Sequence, residues 1–459
     1  MYEDTTIAAI ATAPGEGGIG ILRISGTDAL TVASRIFCAR NLKQWKDAKP
    51  RLLYYGHVTD GKRVIDEGLA VYMPAPHSYT GEDVVELQIH GSSQSLSETL
   101  SLAFSAGALP AEPGAFTERA FWNGRLDLSQ AEAVMDIITA KNRAALLQAE
   151  SHLTGALSRY VKDTRQALSD LIGSLEVTID YPEEDLEEPT REETQRALSR
   201  LETSLSALLS RAKNGRILKE GLRVAIVGRP NAGKSSLLNA LLAEDRAIVT
   251  ELPGTTRDTI EETVRIGAAS VVLMDTAGLR ETDNRIEQMG IERAKKSMET
   301  ADLILAVFDA SAPLTEEDRT LLHALRGKKV LLLLNKSDLP AVTSETDLQE
   351  TFPDGTILFL STKTGDGLPE LETALEKAAG LQDIDDGRAL VLTNARHTDL
   401  VRRARESVTR ARDAAEHGMP ADCIAVDLTE AYTLLGEITG ETMDEDLIHA
   451  IFSRFCVGK

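Results

Sequence analysis

Short apolar stretches separated by Gly and Pro fill the first quarter of the chain. Examples are Gly20-Ile-Leu-Arg-Ile24, Gly68-Leu-Ala-Val-Tyr72 and Val84-Val-Glu-Leu-Gln-Ile89. Such stretches between turn residues predict strands, with a helix over Ser92–Ser105, so residues 1–122 are expected to form an α+β domain. The texture then changes. Between Gln130 and Lys213 the only glycines are Gly155 and Gly173. Apolar residues there recur at helical spacing, at Val134, Ile137 and Ile138, at Leu153, Leu157 and Val161, and at Leu168, Leu171 and Leu175. That period predicts long amphipathic helices. The run Tyr181-Pro-Glu-Glu-Asp-Leu-Glu-Glu-Pro189 interrupts them and reads either as a solvated interhelical loop or as a cation-binding stretch. A further helix leads to Gly215. Apolar strand patterns alternate with helices over 216–379, and helical periodicity returns over Ala395–His417, Asp427–Thr439 and Met443–Phe455. The economical reading is one helical domain, 123–215 and 380–459, interrupted by a domain inserted where chain ends lie close together.

The inserted segment carries the chemistry. Gly228-Arg-Pro-Asn-Ala-Gly-Lys-Ser235 follows the apolar run Leu222-Arg-Val-Ala-Ile-Val227 and precedes a helical pattern. This is G-x-x-x-x-G-K-[ST] in its required strand–turn–helix context. Loop N–H groups and a helix N-terminus offer positive potential to phosphates, Lys234 can reach the β- and γ-phosphates, and Ser235 can ligate Mg²⁺. Four more elements follow in order. Gly254-Thr-Thr256 supplies a switch threonine. Asp275-Thr-Ala-Gly278 follows the strand pattern Ser270-Val-Val-Leu-Met274, so Asp275 can hold Mg²⁺ through water and Gly278 can offer its N–H to a γ-phosphate. Asn335-Lys-Ser-Asp338 follows Val330-Leu-Leu-Leu-Leu334, and a carboxylate there accepts from guanine N1–H and the exocyclic amine, which adenine cannot satisfy. Ser361-Thr-Lys363 follows Ile357-Leu-Phe-Leu360 and supports the base. Expected nucleotide contacts are Asn231, Ala232, Gly233, Lys234, Ser235, Ser236, Thr250, Thr255, Thr256, Asp275, Thr276, Ala277, Gly278, Asn335, Lys336, Asp338, Ser361 and Thr362. Ser235 and Thr256 are the expected Mg²⁺ ligands.

Composition narrows the setting. With 42% apolar residues over 459 positions the chain can build several cores. A net charge of −22 opposes general attraction to nucleic acid, so any RNA contact needs a local basic patch. Cys38, Cys423 and Cys456 are an odd number with no CxxC pair, which fits a reducing compartment without disulfides or a cysteine zinc site. The acidic, polar start lacks a secretory pattern, and no apolar run approaches a membrane span of about 20 residues, so a cytoplasmic protein is expected. One helical stretch holds Arg396, Arg402, Arg403, Arg405, Arg410 and Arg412. These form either internal salt pairs or an RNA backbone patch.

The Asn in the phosphate loop, Gly254-Thr-Thr-Arg-Asp258, the insertion within helices and the terminal Cys456-Val-Gly-Lys459 together narrow the class. With Gly17-Gly-Ile-Gly-Ile-Leu-Arg-Ile-Ser25 and Phe116-Thr-Glu-Arg-Ala-Phe121, the chain resembles the MnmE (TrmE) family of tRNA uridine modification GTPases over essentially its whole length. The resemblance implies a multidomain fold: an N-terminal domain similar to folate-binding domains, and a helical domain carrying a Ras-like P-loop GTPase domain whose mostly parallel sheet has helices on both faces. It implies a homodimer that works with the FAD-containing partner MnmG (GidA). Together they add a (carboxymethyl)aminomethyl group to carbon 5 of the wobble uridine of certain tRNAs, with 5-formyl- or 5,10-methylene-tetrahydrofolate as carbon donor.

Residue 279 is Leu, which cannot orient a water as the Gln of Ras-like enzymes does. Glu281, Asp283 and Glu287 are the acidic candidates nearby, and the resemblance points to Glu287 as base or orienter through a bridging water. It also implies K⁺ in place of an arginine finger, bound when two nucleotide domains meet, with Asn231, Thr250, Leu252 and Thr255 as ligands. Arg23, Glu86, Arg125 and Lys459 fall at folate-binding positions, and some relatives carry Lys where this chain has Arg125. Cys456 is either a buried packing cysteine or a thiol active in carbon transfer; the terminal Lys argues against a prenylation box. Two other classes share part of the pattern. A ribosome-assembly or translation-type GTPase switch binding rRNA shares the central motifs but leaves both ends of the chain unexplained. A folate-dependent methyl- or aminomethyltransferase with a regulatory nucleotide domain is the other.

Overall fold

A computed structural model describes residues 5–180, 191–243, 262–267, 269–274, 296–353, 355–380 and 390–459. The chain divides into two compact units, Met1–Met135 with His152–Gln195 and Arg410–Lys459, and Asp136–Ser151 with Arg196–Thr409.

In the first unit seven strands form one sheet: β1 (Ile7–Ile10), β2 (Gly17–Ser25), β3 (Phe37–Ala39), β4 (Leu53–Thr59), β5 (Val64–Met73), β6 (Val84–Gly91) and β7 (Leu109–Pro110), in the order β3-β4-β5-β6-β2-β1-β7. All neighbours are antiparallel except β1 and β7. Period-two alternation sorts the side chains. Leu22 faces Leu87 and Ile24 faces Val85 in a core shared with α1 (Ala29–Ile36) and α2 (Ser93–Ser105), while Arg23 and Glu86 pair across the same two strands on the other face. On that other face Ile7 and Ala9 pack against Phe116 of α3 (Ala115–Trp122). The remaining helices of the chain's first half are α4 (Leu128–Thr139), α5 (Arg143–Leu153), α6 (Ala156–Asp180) and α7 (Arg191–Glu220). Helix α6 buries Leu157, Val161, Leu168, Leu171 and Leu175. Its Arg165 stacks 4.1 Å from the Tyr432 ring and pairs with Glu441. The acidic run 181–189 lies outside the described residues.

The second unit holds a six-stranded sheet of β8 (Leu222–Val227), β9 (Glu262–Ile266), β10 (Ala269–Met274), β11 (Leu303–Asp309), β12 (Val330–Asn335) and β13 (Thr356–Phe359). Its order is β13-β12-β11-β8-β10-β9, parallel except for β9. The strands read as unbroken apolar runs because both faces are covered. Leu303, Leu305 and Val307 of β11 join a core with α8 (Lys234–Ala243), whereas Ile304, Ala306 and Phe308 join one with α9 (Glu316–Ala324). Among the described residues this domain also holds α10 (Glu345–Gln349) and α11 (Leu368–Ala378).

The last three helices are α12 (Ala395–Glu416), α13 (Ala421–Thr439) and α14 (Glu445–Phe452). Helix α7 does not stop at Gly215 but runs on to Glu220. Gly215 is there for close approach, since a Cβ would lie 2.0 Å from the Leu392 carbonyl oxygen. The end of α7 is pinned just before β8: Lys219 pairs with Asp136 at 2.6 Å, and Asn142 donates to the Leu218 carbonyl at 3.2 Å.

Candidate functional site

In a doubly wound sheet, ligands sit beyond the carboxyl ends of the strands where the chain switches direction. Here that point is β8, flanked by β10 and β11, and the loops after β8, β11, β12 and β13 emerge at the same edge. Residues 228–233 turn from β8 into α8 through three positive backbone angles: Gly228 at φ +152°, Asn231 at φ +64° and Gly233 at φ +103°. A Cβ at Gly228 would meet the Val307 carbonyl oxygen at 2.4 Å, and one at Gly233 would meet Asn335 Nδ2 at 2.0 Å. The loop is therefore drawn tightly over the sheet edge, with the N-terminus of α8 behind it. Lys234 Nζ donates to the Arg229 carbonyl at 2.8 Å, so its ammonium lies back across the loop. Burial holds its pKa below the usual lysine value. A glycine-rich cradle with a half-buried cation suits a chain of phosphates.

The sequence pairs Asn335 with Asp338 as base readers, and the structure separates their tasks. Asn335 is fully buried. Its Nδ2 donates to the Ala232 carbonyl at 2.9 Å, and its Oδ1 accepts from the Thr362 N–H at 3.2 Å. It is a strut joining the phosphate loop to the loop after β13. Asp338 takes no part in that strut. Ser361 Oγ donates to its Oδ1 at 2.7 Å and orients the carboxylate. Lys336, at φ +66°, donates to Asp309 at 2.6 Å. Ala232, Gly233, Lys234, Asn335, Lys336, Asp338, Ser361 and Thr362 are thus linked in one constellation, with Asn231, Ser235 and Ser236 exposed on the same loop and helix start. Thr250, Leu252, Thr255, Thr256, Asp275, Thr276, Ala277, Gly278 and Glu287 lie outside the described residues.

A second constellation lies on the face of the first unit's sheet that packs against α3. Arg23 Nε donates to Glu86 Oε1 at 2.9 Å, with both side chains 15% exposed. The guanidinium stacks 5.3 Å from the Tyr79 ring and 5.4 Å from the Phe116 ring. The C-terminal tail reaches the same place: the Phe116 N–H donates to the Lys459 carbonyl at 3.1 Å, and the Gly114 N–H to that of Cys456 at 3.3 Å. Arg125 is exposed, and its Cγ lies 3.3 Å from where a Cβ on Gly81 would sit, in the loop that also carries Tyr79. Arg23, Glu86 and the backbone of Lys459 therefore come together through Phe116, with Arg125 alongside the Tyr79 loop. Cys456 is exposed, which removes the packing reading of its thiol.

Residues 6–125 match the family model described as GTP-binding protein TrmE N-terminus, and residues 128–456 match the MnmE helical domain. The chain belongs to the MnmE (TrmE) family. Among MnmE relatives, the tRNA modification GTPase MnmE of Clostridioides difficile (strain 630) is 46% identical over 459 residues, covering 100% of both chains. That of Symbiobacterium thermophilum is 47% identical over 458 residues, 99% of this chain and 100% of the relative. That of Alkaliphilus oremlandii (strain OhILAs) is 44% identical over 461 residues, 100% of both. The solved G domain of the T. maritima FeoB iron transporter is 28% identical over 34% of this chain and 98% of its own, at a TM-score of 0.26, too low to add to the MnmE assignment.

Sequence reasoning missed Tyr79, Arg229, Asp309 and Asp318. Asp309 had a signal, an acidic residue closing an apolar strand at the sheet's carboxyl edge, and Asp318 had one in the capping-box spacing Thr315-Glu-Glu-Asp318, although only the fold brings Arg229 to 3.6 Å from it; Tyr79 had none, because its partner Arg23 is distant in sequence. Three arginines of α12, Arg402, Arg410 and Arg412, are held in ion pairs. Arg402 bonds Asp399 at 2.6 Å and Glu406 at 2.8 Å, and Arg412 bonds Asp413 at 2.8 Å. Arg410 turns not to Glu406 but to Asp427 at 2.8 Å and to Glu430 on α13. These three charges are largely compensated, which weakens the reading of α12 as a tRNA patch. Among the described residues no helix is long and apolar enough to cross a membrane, and no group of three or more His, Cys, Asp or Glu side chains is placed to hold a metal ion.

Proposed function

We propose that this chain is a cytoplasmic, homodimeric GTPase that acts with an FAD-containing partner of the MnmG (GidA) type. Together they add a (carboxymethyl)aminomethyl group to carbon 5 of the wobble uridine of certain tRNAs. Family membership supports the class. The observation that carries guanine-nucleotide binding is the Asn335 strut, which holds the phosphate loop and the base-reading loop at one sheet edge. The donor set fits the ligand: a tight N–H-rich loop and Lys234 for phosphates, and the Ser361-oriented Asp338 carboxylate for the guanine N1–H and amine.

Ser235 and Thr256 would hold Mg²⁺, and Asn231 with Thr250, Leu252 and Thr255 would hold K⁺; when bound, these ions offset charge that develops on the phosphates. Asn231 supports this reading because it is exposed on the phosphate loop and its left-handed backbone at φ +64° is one that Asn adopts readily. Glu287 would orient the attacking water through a second water. The Arg23–Glu86 pair, Arg125 and Lys459 would hold a 5-formyl- or 5,10-methylene-tetrahydrofolate, with the partly exposed Tyr79 ring offering flat apolar surface, and the exposed Cys456 thiol stands on the same tail as Lys459.

The deciding experiment is GTP hydrolysis by the purified chain in KCl and in NaCl at equal ionic strength, over a range of protein concentrations. A rate that rises with K⁺ and with concentration, and loses its K⁺ response in Asn231→Gly, supports the reading. Glycine keeps the φ +64° backbone and removes only the amide. A rate indifferent to both variables would instead fit a switch awaiting an external activator.

A further inference from the structure

A row of alternating charges underlies the nucleotide site. Asp309 closes β11, and its Oδ2 accepts from Lys336 Nζ at 2.6 Å while lying 4.0 Å from Arg229 Nη2. Its Oδ1 accepts from the Ser311 N–H at 2.9 Å and from Ser311 Oγ at 2.6 Å. Arg229 Nε in turn lies 3.6 Å from Oδ2 of Asp318, which is 2% exposed and fixed by the Thr315 hydroxyl and N–H in a capping box. Arg229 is the first residue of the phosphate loop after Gly228, and its carbonyl accepts from Lys234.

One carboxylate oxygen therefore stands between a cation of the base-reading loop and a cation of the phosphate loop. Burial pushes the Asp309 carboxyl up, but the bonds from Lys336 and Ser311 outweigh it and hold the group below the ordinary aspartate range, so it is ionised at neutral pH. Lys336 needs such a hold, because a left-handed backbone is unfavourable for a non-glycine residue.

We propose that Asp309 is a positioning residue for the nucleotide: by holding Lys336 and Arg229 together it makes the base-reading and phosphate loops grip guanine nucleotide as one unit. The inference rests on the guanine-nucleotide reading above and deepens it, since Asp309 acts only through those two cations. Neutralising Asp309 removes a charged hydrogen bond and leaves Lys336 and Arg229 facing each other, so only the Asn335 strut still ties the two loops and their coupling weakens.

The test is the release rate of fluorescently labelled GDP from the full chain. If the wild-type chain fails to bind GDP, the function proposed above falls and this inference with it. If it binds, Asp309→Asn is expected to release GDP roughly tenfold faster, the equivalent of one charged hydrogen bond, with partial recovery in Asp309→Glu. Lys336→Met should speed release as well, and adding Asp309→Asn to it should bring little more. An unchanged rate in Asp309→Asn, or additive effects in the double variant, overturns the proposal while leaving GDP binding intact. Should Asp309→Asn fail to fold, a cycle of Lys336→Met and Arg229→Met decides. Those two residues meet only at Asp309, so a departure from additivity of about threefold or more supports the link, and a smaller one overturns it.

Discussion

Gly233→Ala probes the tightest contact in the nucleotide site. The new methyl would sit 2.0 Å from Asn335 Nδ2. That amide cannot swing aside without loss, because Asn335 is fully buried and held at both ends, to the Ala232 carbonyl at 2.9 Å and by the Thr362 N–H at 3.2 Å. Breaking both bonds costs about 1 kcal/mol each. Placing a Cβ on a backbone at φ +103° adds about 1–2 kcal/mol. The sum, about 3–4 kcal/mol, corresponds to roughly two to three orders of magnitude in an equilibrium constant. Because the strut joins the two nucleotide-binding loops, the loss should fall mainly on affinity for GDP, measured by fluorescence titration beside a thermal melt. Gly327→Ala is the control: its φ is +77° but nothing lies within 4 Å of the added methyl, so only the backbone cost applies, and GDP affinity should not change. If Gly233→Ala binds GDP within about threefold of wild type and melts at the same temperature, the strut does not do what is claimed for it.

Other outcomes follow from the proposed function and from the described geometry. Glu287→Ala should lower the single-turnover rate of GTP hydrolysis by roughly two orders of magnitude with GDP affinity unchanged, the signature of a group that acts only on the water; an unaltered rate removes Glu287 from the chemistry. Glu86→Ala, which also frees Arg23 from its 2.9 Å bond, should weaken binding of 5-formyl-tetrahydrofolate at least about tenfold in equilibrium dialysis, and equal binding would dismiss the folate assignment. The Tyr72 phenol is pushed up from 10.0 to about 12, by burial first and then by the hydrogen bond to Asp83. A raised pKa means that the contribution of the neutral phenol to stability is fully present below pH 10 and is lost as pH rises through about 12. An alkaline titration of tyrosinate absorbance should lose its latest step in Tyr72→Phe; a curve unchanged by the substitution would contradict the assignment.

The sequence by itself determined what is local. The apolar runs of β8, β11 and β12, the helical period from α4 to α7 and the order of the phosphate and base motifs all depend on residues within a few positions of one another. Arg23 and Glu86 are visible individually because strand alternation puts both on one face. Tertiary structure decided the rest, through contacts that join distant segments. Asn335 reaches 103 positions back to the Ala232 carbonyl, and only that contact turns a base-motif residue into a strut and leaves no room for a side chain at Gly233. Asp309 matters because Lys336 and Arg229 arrive at one oxygen from opposite sides. Position 215 inside α7 is Gly because the Leu392 backbone leaves no room for a side chain there, and Arg410 leaves its own helix for α13, since a carboxylate on a packed neighbour competes with one a turn away. Periodicity records which face a residue occupies; only the closed fold sets which distant group it meets there.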